Sequence, residues 1–217
     1  MKENDIRFAK LLVLVNGAVP LAILAWDAFH HKLGANPQNF AILTTGMMTL
    51  IFLILTMAVT PLRKVSGWNW LANLRRMLGL YAFFYACAHF LLFFCLDRSF
   101  SVSSTLTEMT RRKYLIVGSI ALIVMIPLAV TSTNAMIKRL GGKRWRALHR
   151  LAYVAAICGV IHYYMQVKKD VRQPLVFAAV LTVLLGYRIW VAVRQRKPVP
   201  APVASKPKAD SPGTYPK

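Results

Sequence analysis

The chain has 217 residues, of which 57% are hydrophobic and only 16% are charged, and its mean hydropathy is +0.48. A water-soluble domain of this length needs far more polar surface, so the composition excludes one and indicates an integral membrane protein. The formal net charge of +21 would suit a nucleic-acid-binding protein, but the distribution of the charges, described below, argues against nucleic-acid binding.

The first ten residues carry Lys2, Arg7 and Lys10 ahead of an apolar stretch. This start has the form of a signal peptide, but no small-residue cleavage pattern follows the apolar stretch. We therefore expect residues 1–10 to be a cytoplasmic N-terminus that leads into an uncleaved first helix.

Six apolar segments then follow along the chain, each close to the 20 residues that cross a bilayer as a helix. Inside a bilayer only a helix satisfies its own backbone hydrogen bonds, so each segment is predicted to be helical. The loops are short and we find no convincing internal repeat. The predicted fold is an all-α integral membrane protein, a single bundle of six transmembrane helices over residues 11–193. The six segments are residues 11–29, 40–60, 77–96, 114–133, 148–167 and 174–193.

Residues 194–217 form a basic C-terminal tail that is rich in Pro, Ala and Lys from Lys197 onward. This composition cannot bury enough apolar surface to fold, so we expect the tail to be disordered and cytoplasmic.

The basic residues lie unequally on the two sides of the predicted bundle. The side with both termini and the loops at 61–76 and 134–150 carries 20 of the 28 Lys and Arg residues. By the positive-inside rule both termini are cytoplasmic, and contacts with anionic lipid headgroups explain most of the charge. The eight basic residues on the outer side are Lys32, Arg98, Arg111, Arg112, Lys113, Lys168, Lys169 and Arg172.

Three of the five histidines lie in the third and fifth segments. A titratable side chain in a membrane helix usually faces a cavity, a partner or a ligand, although a lone histidine can simply hydrogen-bond across helices. His89 and His162 each lie late in a helix that runs outward, so both are expected at one depth near the outer surface. Two neutral imidazoles there can supply both axial ligands of a heme iron, which favours one-electron transfer. His30 and His31, at the outer end of the first helix, are expected to be interfacial.

A second level near the cytoplasmic face follows from helical spacing. His149 lies 13 residues before His162, about 20 Å away along the axis, so these two cannot bind one iron. Arg75 lies within roughly 40° of the His89 face of its helix, whereas His149 lies about 140° from the His162 face, unless it belongs to a turn before the helix.

The inner level therefore has one histidine opposite an arginine pair. Such a cluster would suit a phosphate or a carboxylate, for example of a flavin, a heme propionate or a lipid headgroup. Arginines that only set the topology are the alternative. The expected members are Arg75, Arg76, Arg144 and Arg146.

The segments that carry these residues resemble the MsrQ family of heme-binding membrane subunits, which belong with the ferric-reductase-like transmembrane domains. The matching stretches run in family order across nearly all of the membrane region. They are LGANP at 33–37, TG at 45–46, TPLR at 60–63, RRMLGLYAFFYACAH at 75–89, KYLIVG at 113–118, TSTNAMIKRLGGKRWRALHRLAY at 131–153 and IHYYMQVK at 161–168.

The resemblance implies an electron-transfer subunit of the bacterial inner membrane that carries heme b and FMN. Electrons would come from the quinone pool or from a cytoplasmic flavin reductase. They would leave to MsrP, a periplasmic molybdopterin enzyme that reduces methionine sulfoxide in oxidised proteins and forms a heterodimer with the membrane subunit. Catalysis would belong to that partner, which the outer loop at 97–113 is expected to bind.

The family's heme-linked histidines match His89, His149 and His162, of which His149 is only a possible ligand. FMN, which members are described as carrying, fits the inner level, where Arg75 and Arg76 are the candidate cofactor-binding residues. Some members have a histidine at the position of Leu43, so a ligand at that point is in doubt here. Two other functions remain as alternatives: a stand-alone transmembrane metalloreductase, and a non-redox transporter that uses histidines as relays.

Overall fold

The computed structural model describes residues 3–168 and 170–195, and within them the chain is helical with no β-strand. The expected tail lies almost wholly outside these residues. A 3-10 turn, Asn69–Asn73, leads into α3, and a π-helical turn, Phe93–Asp97, extends it. The helices are α1 Glu3–Phe29, α2 Pro37–Ser66, α3 Arg75–Leu92, α4 Val102–Arg111, α5 Lys113–Val130, α6 Asn134–Leu140, α7 Gly142–Leu148, α8 Leu151–Gln166 and α9 Arg172–Gln195.

The prediction of an all-helical membrane protein is confirmed. Five helices in the described residues are long and apolar enough to cross a membrane: α1, α2, α3 with its flanking turns, α5 and α9. The fifth predicted segment is also a helix, α8, but its 16 residues extend only about 24 Å. This is shorter than the hydrocarbon core of about 30 Å, because the chain makes a turn at residues 149–150 before α8 begins.

The ends of α2 follow from its local sequence. Asn36 accepts a hydrogen bond from the Asn39 amide at 3.0 Å, and Pro37 occupies the first helical position, where no amide hydrogen is needed. At the other end Gly67 adopts a left-handed conformation, with a φ of 73°, and its amide donates to the Arg63 carbonyl at 3.0 Å. The helix is thus held at both ends and exceeds the predicted segment 40–60.

The centre of the bundle consists of two closely packed helix pairs, α2 with α3 and α5 with α8. Small residues let the backbones approach each other, as is usual in membrane bundles, and Ala82 and Ala155 are both fully buried. Tyr85 and Met57 fill the remaining core space. Helix α9 packs against α2 and α8, and α1 contacts mainly α3 and α2.

Helix α1 is attached to α3 through two tyrosines. The Tyr81 ring lies against Gly17, where an added Cβ would be 2.5 Å from it. The Tyr85 hydroxyl donates to the Gly17 carbonyl at 2.8 Å and accepts from the Leu21 amide at 3.2 Å. These two backbone groups would pair with each other in an unbroken helix, so the hydroxyl is inserted into the hydrogen-bond ladder of α1, next to Pro20.

Candidate functional site

His89 lies in α3 and is held by α2. Its Nδ1 is 2.8 Å from the carbonyl oxygen of Ile42, and its ring lies over Gly46, one helical turn later. A Cβ added at Gly46 would be 3.0 Å from both Cε1 and Nδ1 of His89. The absent side chain therefore makes room for the imidazole.

His162 in α8 is held by α5 in the same way. Its Nδ1 is 2.7 Å from the carbonyl oxygen of Tyr114, and a Cβ added at Gly118 would be 2.7 Å from that nitrogen. In both places the glycine follows the acceptor carbonyl by four residues. A carbonyl can only accept, so each Nδ1 carries the proton and each Nε2 keeps its lone pair, as in metal-binding histidines.

The structure brings the two imidazoles together. Their ring centres are 6.0 Å apart and their planes cross at 85°. An imidazole nitrogen lies about 2.0 Å from a metal ion that it binds and about 1.1 Å from the centre of its own ring, so two imidazoles on opposite sides of one iron have centres about 6.2 Å apart. Within the described residues neither Nε2 makes a hydrogen bond, and no third His, Cys, Asp or Glu forms a metal cluster with them. The pair therefore fits two axial ligands of one iron.

A cavity of about 250 Å³ lies between α2, α3, α5 and α8 and includes both histidines. Its deeper lining is apolar and its outer end, near α4, is polar. The deeper residues include Leu50, Leu53, Ala86, Leu122, Met125 and Ala155. Such a space suits a large apolar group with a few polar substituents.

His149 lies apart from this pair, in the turn between α7 and α8. Because His149 lies in this turn and not on α8, the angle of about 140° between it and His162, which assumes one continuous helix, does not apply. The ring stacks on Trp145, with ring centres 3.9 Å apart. The Thr131 hydroxyl donates to Pro127, so His149 Nε2 donates to that hydroxyl over 3.2 Å.

The four arginines predicted at the inner level differ in burial. Arg75, the first residue of α3, is partly buried, and the positive charges that act on it are those of Arg188 and Arg63. The other three predicted members are exposed to solvent, because they lie on outward faces of α3 and α7: Arg76, Arg144 and Arg146. Of the four predicted members only Arg75 is partly buried, and a site formed by all four arginines stays a prediction.

Arg188, in α9, is the member that the sequence interpretation missed. Its guanidinium donates to the Tyr153 hydroxyl at 2.6 Å and to the Met57 carbonyl at 2.9 Å. That carbonyl lacks its normal helical partner because residue 61 is proline, which has no amide hydrogen. Nε of Arg188 is buried without a hydrogen-bond partner among the described residues. A lone arginine in an apolar segment, together with a proline inside α2, was the available signal.

Comparisons with known proteins give a consistent result. Residues 40–160 match the family described as ferric reductase like transmembrane component. Three curated relatives are each named protein-methionine-sulfoxide reductase heme-binding subunit MsrQ. The relative from Herminiimonas arsenicoxydans is 47% identical, over 86% of this chain and 87% of its own. The relative from Ralstonia nicotianae is 44% identical, over 88% of each chain. The relative from Rhodospirillum rubrum is 44% identical, over 93% of this chain and 97% of its own.

Proposed function

The chain belongs to the MsrQ family of heme-binding subunits of protein-methionine-sulfoxide reductase, within the ferric-reductase-like transmembrane components, and from this we propose that it carries electrons across the membrane through heme b bound by His89 and His162. One observation supports the assignment above all others. The two imidazoles face each other at 6.0 Å, each fixed by a backbone carbonyl with its Nε2 free to bind a metal.

Heme would supply one-electron chemistry when bound, and His89 and His162 would hold it. The chain's own residues then have three tasks. The carbonyls of Ile42 and Tyr114 orient the imidazoles, the apolar lining excludes water, and the surrounding helices fix the depth of the site. This division favours an electron-transfer subunit over a stand-alone metalloreductase, and a histidine-relay transporter would need no such facing pair.

The proposed topology has six transmembrane helices and both termini on the cytoplasmic side of the bacterial inner membrane. The uneven distribution of Lys and Arg supports this orientation. Helix α8 is too short to cross the bilayer alone. In the proposed topology the preceding turn and α7 complete the crossing to the side with more Lys and Arg.

Electrons are proposed to enter at the inner level, from the quinone pool or a cytoplasmic flavin reductase, through FMN. Arg75 makes no side-chain hydrogen bond within the described residues, and Arg188 keeps an unpaired Nε. Partly buried guanidinium groups that make no ion pair with an acid among the described residues suit a phosphate, which accepts several charge-assisted hydrogen bonds. His149 lies within the electrostatic influence of Arg75 and is proposed to contribute to the same site, and the exposed Arg76 is proposed to contribute from its rim.

Electrons are proposed to leave from the outer level to MsrP, the periplasmic molybdopterin partner. Reduction of one methionine sulfoxide takes two electrons and two protons and releases water, so a subunit that carries electrons through heme must deliver one electron twice for each sulfoxide reduced. The segment 97–113 lies at the outer end of the histidine cavity and exposes Arg111 and Lys113. A partner with an acidic surface fits this position.

The test is a reduced-minus-oxidised visible spectrum of the purified protein. We expect the two sharp bands of low-spin heme b, and their loss in His89→Ala and in His162→Ala. His30→Ala is the matched control, because His30 is exposed and bonded only to its own helix, at the Trp26 carbonyl. A correctly inserted wild-type protein without these bands, or bands that survive both substitutions, would refute the proposal.

A further inference from the structure

The outer end of the histidine cavity has a different chemistry from its floor. The residues that α2, α3, α5 and α8 contribute at their outer ends are polar: Asn39, Asp97, Tyr114 and Gln166. The floor, about two to four helical turns deeper, is formed mostly by apolar side chains. Carboxylates placed on that floor would lose their hydration without gaining a partner, so an amphipathic ligand enters with its charged edge outward.

Arg112 is the one cationic side chain among the described residues that line this cavity. It occupies the junction between α4 and α5, and its side chain is 55% exposed. Its guanidinium donates to the Tyr114 hydroxyl at 3.2 Å and pairs with Glu108. A guanidinium has five donor hydrogens, so these two contacts leave donors for another anion.

The neighbouring acids do not compete strongly for those remaining donors. Asp97 accepts two hydrogen bonds from Arg98, at 2.8 Å and 2.5 Å. Glu108 accepts from Arg98 at 3.1 Å in addition to its pair with Arg112. Arg98 thus satisfies much of the acidic charge, and Arg112 is held in place at the mouth by Glu108 and Tyr114.

We infer that Arg112 binds the carboxylate side chains of the heme at the outer mouth of the cavity and thereby raises the reduction potential of the heme. This rests on the proposed function, because heme b has an apolar ring with two carboxylates along one edge. A charged donor suits these groups, and a nearby positive charge favours the reduced iron, which carries one more electron.

The test measures the midpoint potential and the rate of heme loss in detergent for four variants. Arg112→Gln should lower the potential and release heme about 2- to 5-fold faster, the range expected for a partly exposed ion pair. Arg112→Lys should restore most of both properties. Arg111→Gln is the matched control, since it removes the same charge from an adjacent exposed position outside the cavity lining, and it should behave as the wild type.

The fourth variant, Glu108→Gln, separates a direct effect of charge from a loosening of α4. Both Glu108→Gln and Arg112→Gln break the same ion pair, so loosening would shift the potential in one direction in both. A direct effect of charge predicts opposite shifts, upward in Glu108→Gln and downward in Arg112→Gln. Equal shifts, or an Arg112→Gln protein that matches Arg111→Gln, would overturn the inference. A wild-type protein without heme bands would instead overturn the proposed function.

Discussion

Each imidazole of the outer pair is positioned by a backbone carbonyl and by a glycine. The sequence predicted that His89 and His162 share a depth, because each lies late in an apolar segment that is expected to run outward. It did not predict the contacts with Gly46 and Gly118, because these are relations between two helices that no single helix reveals. The same limit applies to Arg188, whose partner carbonyl is made available by a proline in another helix.

Substitution of these glycines tests whether the close fit matters. Gly118→Ala should weaken heme binding about 10-fold, as changes around a metal ligand do, because the new Cβ would lie 2.7 Å from Nδ1 of His162. Gly46→Ala should weaken heme binding less, since its Cβ would lie 3.0 Å from the His89 ring, which can shift slightly. Gly186→Ala is the control, because nothing lies within 4 Å of its added Cβ. Heme content per protein is the measurement, and equal content in all three variants would contradict the argument.

Among the helices, the long apolar ones were predicted well and the short ones were not. The segments predicted at 40–60 and 114–133 correspond to α2 and α5, with ends displaced by a few residues. Helices α4, α6 and α7 have ten residues or fewer and lie in what the sequence indicated only as loops. Their charged composition gives no transmembrane signal, and their stability comes from contacts that hydropathy does not report.

The attachment of α1 can be tested at one hydroxyl. Tyr85→Phe removes the group that bridges Gly17 and Leu21, and should lower the free energy of unfolding by about 1 kcal/mol. The ratio of heme to protein should not change, because α1 contributes no residue to the histidine cavity. Tyr187→Phe is the control, since the Tyr187 hydroxyl makes no hydrogen bond within the described residues. Unfolding midpoints in SDS measure the difference, and equal midpoints for the two variants would exclude the bridge.

At the scale of the whole molecule, one arrangement occurs twice although the sequence shows no convincing repeat. In the pairs α2–α3 and α5–α8, the first helix offers a carbonyl and a glycine four residues apart, and the second offers the histidine. Only two positions of the first helix recur, the residue that supplies the carbonyl and the glycine four residues later. This is too little to appear as internal sequence similarity. The inner level has no such symmetry, because Arg75 comes from the start of α3, His149 from the turn before α8 and Arg188 from α9.

The inner level can be tested through the flavin that it is proposed to hold. Arg75→Gln and Arg188→Gln should each weaken flavin retention at least about 10-fold, the cost of losing a hydrogen bond from a charged group. Arg144→Gln, at an exposed position, should retain flavin as the wild type does. Flavin fluorescence after gel filtration measures retention, and the heme bands of all variants serve as a folding control. Flavin that stays bound in both inner variants would exclude this site.

The two acceptor carbonyls also determine where the protein is vulnerable to mutation. Because the main chain supplies the oxygens at Ile42 and Tyr114, the orienting bond does not depend on the side chains at these two positions. A side-chain acceptor, by contrast, could be lost in a single codon change. Residues 46 and 118, by contrast, should not accept a side chain, because any Cβ there enters the space of an imidazole. A saturation library scored for heme content should therefore show intolerance at residues 46 and 118, each one helical turn after a residue whose side chain takes no part in the orienting bond.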